Sequence, residues 1–192
     1  MNPSIKIIKT DILSDNWYVL KKITYEALQK DGTWQIQSRE AYDRGNGTAI
    51  LLYNRQHSSV ILTRQFRMPA YINGNKTGML IEACAGLLDN EHPVAAIKRE
   101  TEEETGYRIN KVQKIYEAYS SPGSVTEILH FFIAEYAPEM KVSEGGGVAQ
   151  EQESIEVLEV KFETALNMIE TGGIKDAKTI LLLQYLRLKK IL

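Results

Sequence analysis

Arg99-Glu100-Thr101-Glu102-Glu103-Glu104-Thr105-Gly106 is the stretch on which the reading of this chain turns. Glu100, Glu103 and Glu104 stand at i, i+3 and i+4, a spacing that puts three carboxylates on one face of a helix. Like charges so close destabilise an isolated helix, so something must offset them. Arg99, four residues before Glu103, offsets one. Hard divalent cations held by oxygen ligands would offset the others, as Mg²⁺ does when it also binds phosphates. The ordinary alternative is an acidic, solvated helix face. Pro93 suits the first turn of this helix, where its missing amide proton costs nothing, and Gly106 suits the position just past its end. The helix is therefore expected over residues 93–105.

Outward from the helix the chain is built of strand-like runs at 48–53, 59–66, 79–85, 112–119, 127–135 and 155–162, with helical patterns at 163–170 and 176–192. Before them, 17–28 and 34–42 carry β-formers around the turn Lys30-Asp31-Gly32 and read as a hairpin. Asp43-Arg44-Gly45-Asn46-Gly47 is dense in turn residues and marks the best internal boundary, with an N-terminal hairpin segment over 1–43 and the main domain over 44–192. Mixed strands with a few helices give an α/β or α+β sandwich rather than a bundle or a barrel.

At 192 residues the chain fits one domain with a sizeable core and leaves room for a second small lobe rather than a second full-sized domain. A formal net charge of −2 gives no electrostatic reason to expect nucleic acid as partner. The single Cys84 lies in the apolar run 80–85 and reads as a reduced thiol buried in a strand, with a catalytic cysteine the minor alternative. No run matches a secretory leader or the roughly 20 apolar residues of a membrane span, so a cytoplasmic protein is expected. His57, His92 and His130 have no ligand spacing, and Gly145-Gly146-Gly147 is not followed by Lys-Ser/Thr as a P-loop would be.

Gly86, Glu91, Arg99, Glu100, Glu103, Glu104, Gly106 and Tyr107 together resemble the Nudix box. Each fixed residue type has roughly 5–7% abundance, so seven such matches by chance are on the order of 10⁻⁸ per window, which leaves an incidental acidic helix remote. Two positions depart from the pattern. Only Leu87-Leu88-Asp89-Asn90 separate Gly86 from Glu91, one residue fewer than usual, and Thr101 takes an apolar position. The resemblance is closest to the bacterial GDP-mannose pyrophosphatases, relatives of ADP-ribose pyrophosphatases. It is carried further by Ile12-Leu13-Ser14-Asp15-Asn16-Trp17, by Arg39-Glu40-Ala41-Tyr42-Asp43-Arg44-Gly45-Asn46-Gly47, by Pro122, and by the triple glycine leading to Glu151 and Glu153.

What the resemblance implies is an α/β/α sandwich of mixed sheet and a Mg²⁺-dependent hydrolase that splits GDP-mannose into GMP and mannose 1-phosphate. ADP-ribose or a broader range of nucleoside diphosphate sugars is the runner-up. A silent nucleotide sensor on the same fold is the alternative from another class. Glu100, Glu104 and the Ala85 carbonyl are implied to ligate metal, with Arg99 and Glu103 orienting them. A loop glutamate is implied to complete the metal site or act as base. Counting back from Ile155 favours Glu153, and counting forward from the glycines favours Glu151; both are kept, with Glu153 preferred. For substrate the resemblance implies Arg67 on a phosphate, Trp17 stacked on the base, and Ser38, Arg39 and Glu40 reading the nucleotide. The strand end Ala85, Gly86 and Leu87, Glu127 and Asp176 are implied to lie near the substrate. It also implies a homodimer in which the hairpin packs between subunits and both chains build each site.

Overall fold

The computed structural model describes residues 4–148 and 154–192. Chain contacts divide them into two compact units, one running to Asn46 and taking in Ala118–Ile128, the other made of Gly47–Glu117 and Leu129–Leu192.

In the first unit β1 (Ile5–Asp15), β2 (Val19–Leu28) and β3 (Trp34–Asp43) form an antiparallel sheet in that order. The expected hairpin is β2–β3, in register from Val19↔Asp43 to Leu28↔Trp34. Its turn is fixed by Asp31, whose carboxylate accepts from the Thr33 N–H at 2.9 Å and the Thr33 hydroxyl at 2.7 Å, and by Gly32 at φ +83. The sheet has one strand more than expected. Lys6, Lys9 and Asp11 break up the apolar run of β1, and two register shifts, between Ile7 and Lys9 and between Ile12 and Ser14, blur its alternation.

The second unit is a mixed sheet of order β10-β5-β4-β9-β8, with β6 beside β5 and β7 beside β4. Its strands are β4 (Gly47–Asn54), β5 (Ser59–Phe66), β6 (Met79–Glu82), β7 (Cys84–Leu87), β8 (Gln113–Tyr119), β9 (Ile128–Glu135) and β10 (Glu156–Lys161). β4 pairs parallel with β9 and antiparallel with β5 and β7. All eight residues of β4 are buried, as a central strand covered on both faces requires. On one face Ile50, Leu52, Ile61, Cys84 and Phe132 pack with Ile97 from α2 (Pro93–Glu100). Strand alternation turns Ala49 and Leu51 to the opposite face, where α4 (Ala177–Leu188) lies against β4 and α3 (Phe162–Glu170) against β5. Helix, sheet, helix is the sandwich the sequence implied. A further short helix, α1 (Met68–Ile72), follows β5. No helix among the described residues is long and apolar enough to cross a membrane.

β4 and β5 stay paired only over Leu52–Asn54 and then separate. The gap is filled by β6 on β5 and β7 on β4, so the expected single strand over 79–85 breaks at Ala83. This fork is what positions the site.

Candidate active site

α2 starts where the sequence places it. His92 is the N-cap, its Nδ1 accepting the Val94 N–H at 3.3 Å, and Pro93 occupies the first turn. Ala96 and Ile97 are fully buried beneath the helix, and side chains of that kind contribute about 1.5–3 kcal/mol each for the larger residues. Beyond Glu100 the helix continues over Thr101–Thr105 as a wider π turn, and it ends at Gly106 with φ +79. The cause is local. The Thr101 hydroxyl bonds the Ile97 carbonyl and the Thr105 hydroxyl bonds the Thr101 carbonyl, both at 2.5 Å, so side chains compete for the helix ladder. Those bonds also let Thr101 sit fully buried where an apolar residue is usual.

The widened turn sorts the glutamates. Glu104 is buried, with its Oε2 accepting the Ala85 N–H of β7 at 3.2 Å. Glu100 is nearly buried and lies against Gly86, where a Cβ would fall inside its carboxyl group. Glu103 is more open and pairs with Arg99 at 2.7 Å. Arg99 also contacts Glu100 at 3.0 Å and Glu91 at 3.3 Å, so one cation serves three carboxylates. Burial works against its charge, but Glu100 and Glu103 outweigh that and hold the guanidinium above the ordinary arginine range. The short loop before Glu91 closes because Asp89 and Asn90 both take left-handed backbone, which their side chains tolerate better than most. Glu91 still reaches Arg99.

The glycine-rich segment is docked on this helix end. Gly146 and Gly147 donate their N–H groups to the carbonyls of Glu104 and Glu103, at 2.9 and 3.1 Å, and Ile155 donates to Gly146 at 3.1 Å. A cleft of about 560 Å³ lies between Arg99, Glu102 and Glu103 on one side and Ser143, Gly145 and Gly147 on the other. Glu151 and Glu153 lie outside the described residues.

Two hard carboxylates beside a strand end with backbone carbonyls fit an oxygen-ligated divalent cation. Among the described residues no three acidic, His or Cys side chains gather into a complete cage. Mg²⁺ does not need one, since it keeps waters and shares substrate phosphate oxygens. Cys84 is buried beside the cluster, and burial first, then Glu104, pushes its thiol well above the usual value. It is the reduced core thiol expected, not a nucleophile.

Arg67 is not a bare strand end. Its Nε and Nη2 grip Glu82 Oε2 at 2.9 and 2.8 Å, and Lys178 reaches Glu82 Oε1 at 3.1 Å. Asp176 caps α4 through the Thr179 N–H at 3.0 Å and pairs with Lys178 at 3.0 Å. Glu82, Lys178 and Thr179 were not singled out from sequence. A glutamate inside the apolar run 79–85 and the Asp176-x-x-Thr179 capping spacing were the available signals. In the first unit, Trp17 is 82% exposed. Ser38 bonds Thr24 at 3.1 Å, and Arg39 donates to the Ser38 carbonyl at 2.8 Å. Glu40 lies opposite Lys22. Glu127 is buried, accepting from Ser120 at 2.7 Å and pairing with Arg44 at 3.4 Å.

A strand, a tight loop and a glutamate-bearing helix inside a mixed-sheet sandwich define the class, a scaffold that gathers acidic side chains around a strand end. Residues 43–182 match the family model described as NUDIX domain, and residues 4–42 match the one described as GDP-mannose pyrophosphatase NudK N-terminal domain. The chain is 54% identical over 192 residues to GDP-mannose pyrophosphatase of Cronobacter sakazakii (strain ATCC BAA-894), covering 100% of both chains. It is 56% identical over 185 residues to GDP-mannose pyrophosphatase of Yersinia pestis (strain Pestoides F), covering 96% of this chain and 92% of that one. It is 53% identical over 192 residues to GDP-mannose pyrophosphatase of Shigella flexneri serotype 5b (strain 8401), again covering 100% of both. The chain belongs to the Nudix family of hydrolases. Nudix hydrolases are generally dependent on a divalent metal.

Proposed function

We propose that this chain hydrolyses GDP-mannose to GMP and mannose 1-phosphate and that its metal is Mg²⁺. The observation that carries the chemistry is the convergence of Glu104 and Glu100 on Ala85 and Gly86. The substrate is supported by the names of relatives that match the chain over nearly its whole length. Glu100, Glu104 and the Ala85 carbonyl would hold the ion, with Glu153 or Glu151 as the further carboxylate. Mg²⁺ bound there would neutralise the diphosphate and lower the pKa of water.

The protein's own groups do the rest. Arg99 holds Glu100 and Glu103 in place. Arg67 takes a phosphate, for which a guanidinium fork is suited. Trp17 stacks on the base, and Ser38, Arg39 and Glu40 supply the polar contacts that stacking cannot. Gly86 and Leu87, Glu127 and Asp176 complete the substrate contacts. We place the N-terminal segment, 1–43, at a homodimer interface and the hydrolase domain over 44–192. The protein would work in the cytoplasm, where the Cys84 thiol stays reduced.

The test is a panel of GDP-mannose, ADP-ribose and other nucleoside diphosphate sugars with Mg²⁺ in ¹⁸O-water, with products identified by mass. GDP-mannose is expected to give the highest kcat/KM, with one ¹⁸O in a phosphate product. Preference for ADP-ribose would replace the substrate, and no turnover of any member would remove the enzymatic reading.

A further inference from the structure

β6 and β7 are one stretch of chain that changes neighbour at Ala83. Glu82 pairs with Thr63 of β5, Cys84 pairs with Ile50 of β4, and Ala83 belongs to neither register. Its N–H donates instead to the Thr179 hydroxyl of α4, at 2.6 Å. Ala83 is 1% and Thr179 0% exposed, so water is not at hand to replace that bond. The same hydroxyl donates to Asp176 Oδ2 at 2.5 Å. Its one proton is thereby committed to Asp176, which leaves the lone pairs for Ala83. Beside it, Lys178 ties Asp176 to Glu82. Two residues past the crossing, the Ala85 N–H meets Glu104 and Gly86 makes room for Glu100.

A buried amide whose acceptor among the described residues is the Thr179 hydroxyl fixes where the chain crosses, because leaving it unmet is costly. On the basis of the metal site proposed above, we propose that Thr179 is a positioning residue. Its hydroxyl sets the Ala83 crossing and thereby the register of Ala85 and Gly86 against Glu104 and Glu100.

Valine keeps the shape of threonine without the hydroxyl, and serine keeps the hydroxyl. A core truncation in α3, Leu166→Ala, serves as a control of comparable stability loss. In metal-free protein, Thr179→Val is expected to speed amide exchange at Ala85 by about tenfold beyond that control, as local opening would, and Thr179→Ser to restore it. By calorimetry Mg²⁺ is expected to bind Thr179→Val about tenfold more weakly than the control, the usual effect of losing an outer support. Equal Ala85 exchange and equal Mg²⁺ affinity in Thr179→Val and the control would overturn the proposal. Failure of the wild type to bind Mg²⁺ would sink the metal site itself, and Ala85 exchange would then decide the role of Thr179. If Thr179→Val does not fold, Asp176→Asn, which weakens the acceptor of the hydroxyl proton, is read on the same two measurements with the same outcomes.

Discussion

Glu82 sits buried in β6 with two cations on its carboxylate, Arg67 at 2.8 Å and Lys178 at 3.1 Å. Burial raises its pKa, but Lys178 and then Arg67 outweigh burial and leave it below the usual carboxylate value. A depressed folded pKa stabilises the fold fully above the unfolded value, about 4.3, and that stability is lost as pH falls through the folded value. Removing one partner of a buried pair strands the others, at a cost of about 3–5 kcal/mol; the partial exposure of Arg67 argues for the lower end. Glu82→Gln is therefore expected to lower unfolding free energy by about 3 kcal/mol at pH 7, and the gap to the wild type should narrow below pH 4. Urea melts at both pH values check this, and a gap that widens in acid would refute the pairing. Glu82 also explains why a site residue can be overlooked in sequence. Hydropathy marks it as an interruption of a strand, and only the fork in the sheet brings Arg67 and Lys178 to it.

The glutamate helix was the most legible element, because its start, its stop and its charges are all local features. Pro93 and Gly106 bound it as expected, the cap at His92 was not foreseen, and Glu104 accepts the Ala85 N–H of β7. The π turn was not legible, since it comes from two hydroxyls competing for carbonyls rather than from any hydrophobic period. The break at Ala83 was hidden for a similar reason: an apolar run reads as one strand whichever neighbours it pairs with. β1 was missed because its exposed isoleucines and charges leave no clean alternation. Gly106 tests the helix end. A side chain there would be held in left-handed backbone, at about 1–2 kcal/mol, and its Cβ would collide with the Ser143 carbonyl. Gly106→Ala is expected to lower Tm by at least about 4 °C at this chain length, in a thermal melt followed by circular dichroism. An unchanged Tm would mean the loop is not docked on the helix as described.

At the scale of the whole molecule, the two units differ in how they hold together. The main unit has a two-faced core, whereas none of the described residues before Gly47 is buried. Ile5, Ile7 and Ile12 are 46%, 70% and 63% exposed, and their partners across β2, Ala27, Tyr25 and Lys21, are all odd-numbered and so share one face. Apolar side chains left in water forgo the stabilisation that burying them would supply. A second copy of the chain is the covering proposed here. Ile7→Glu with Ile12→Glu is expected to shift sedimentation from dimer towards monomer, and a wild type that sediments as a monomer at micromolar concentration would contradict the dimer.

Glu104, buried against Ala85, has the proposed role of serving metal-dependent cleavage of a nucleoside diphosphate sugar. Its most direct test is kcat for GDP-mannose with saturating Mg²⁺ in Glu104→Gln, which keeps an acceptor for the Ala85 N–H but removes the charge, with Tm measured alongside. A fall larger than the roughly 10–100-fold typical of losing an outer-shell partner is expected, at little cost in Tm. A rate near that of the wild type would contradict it.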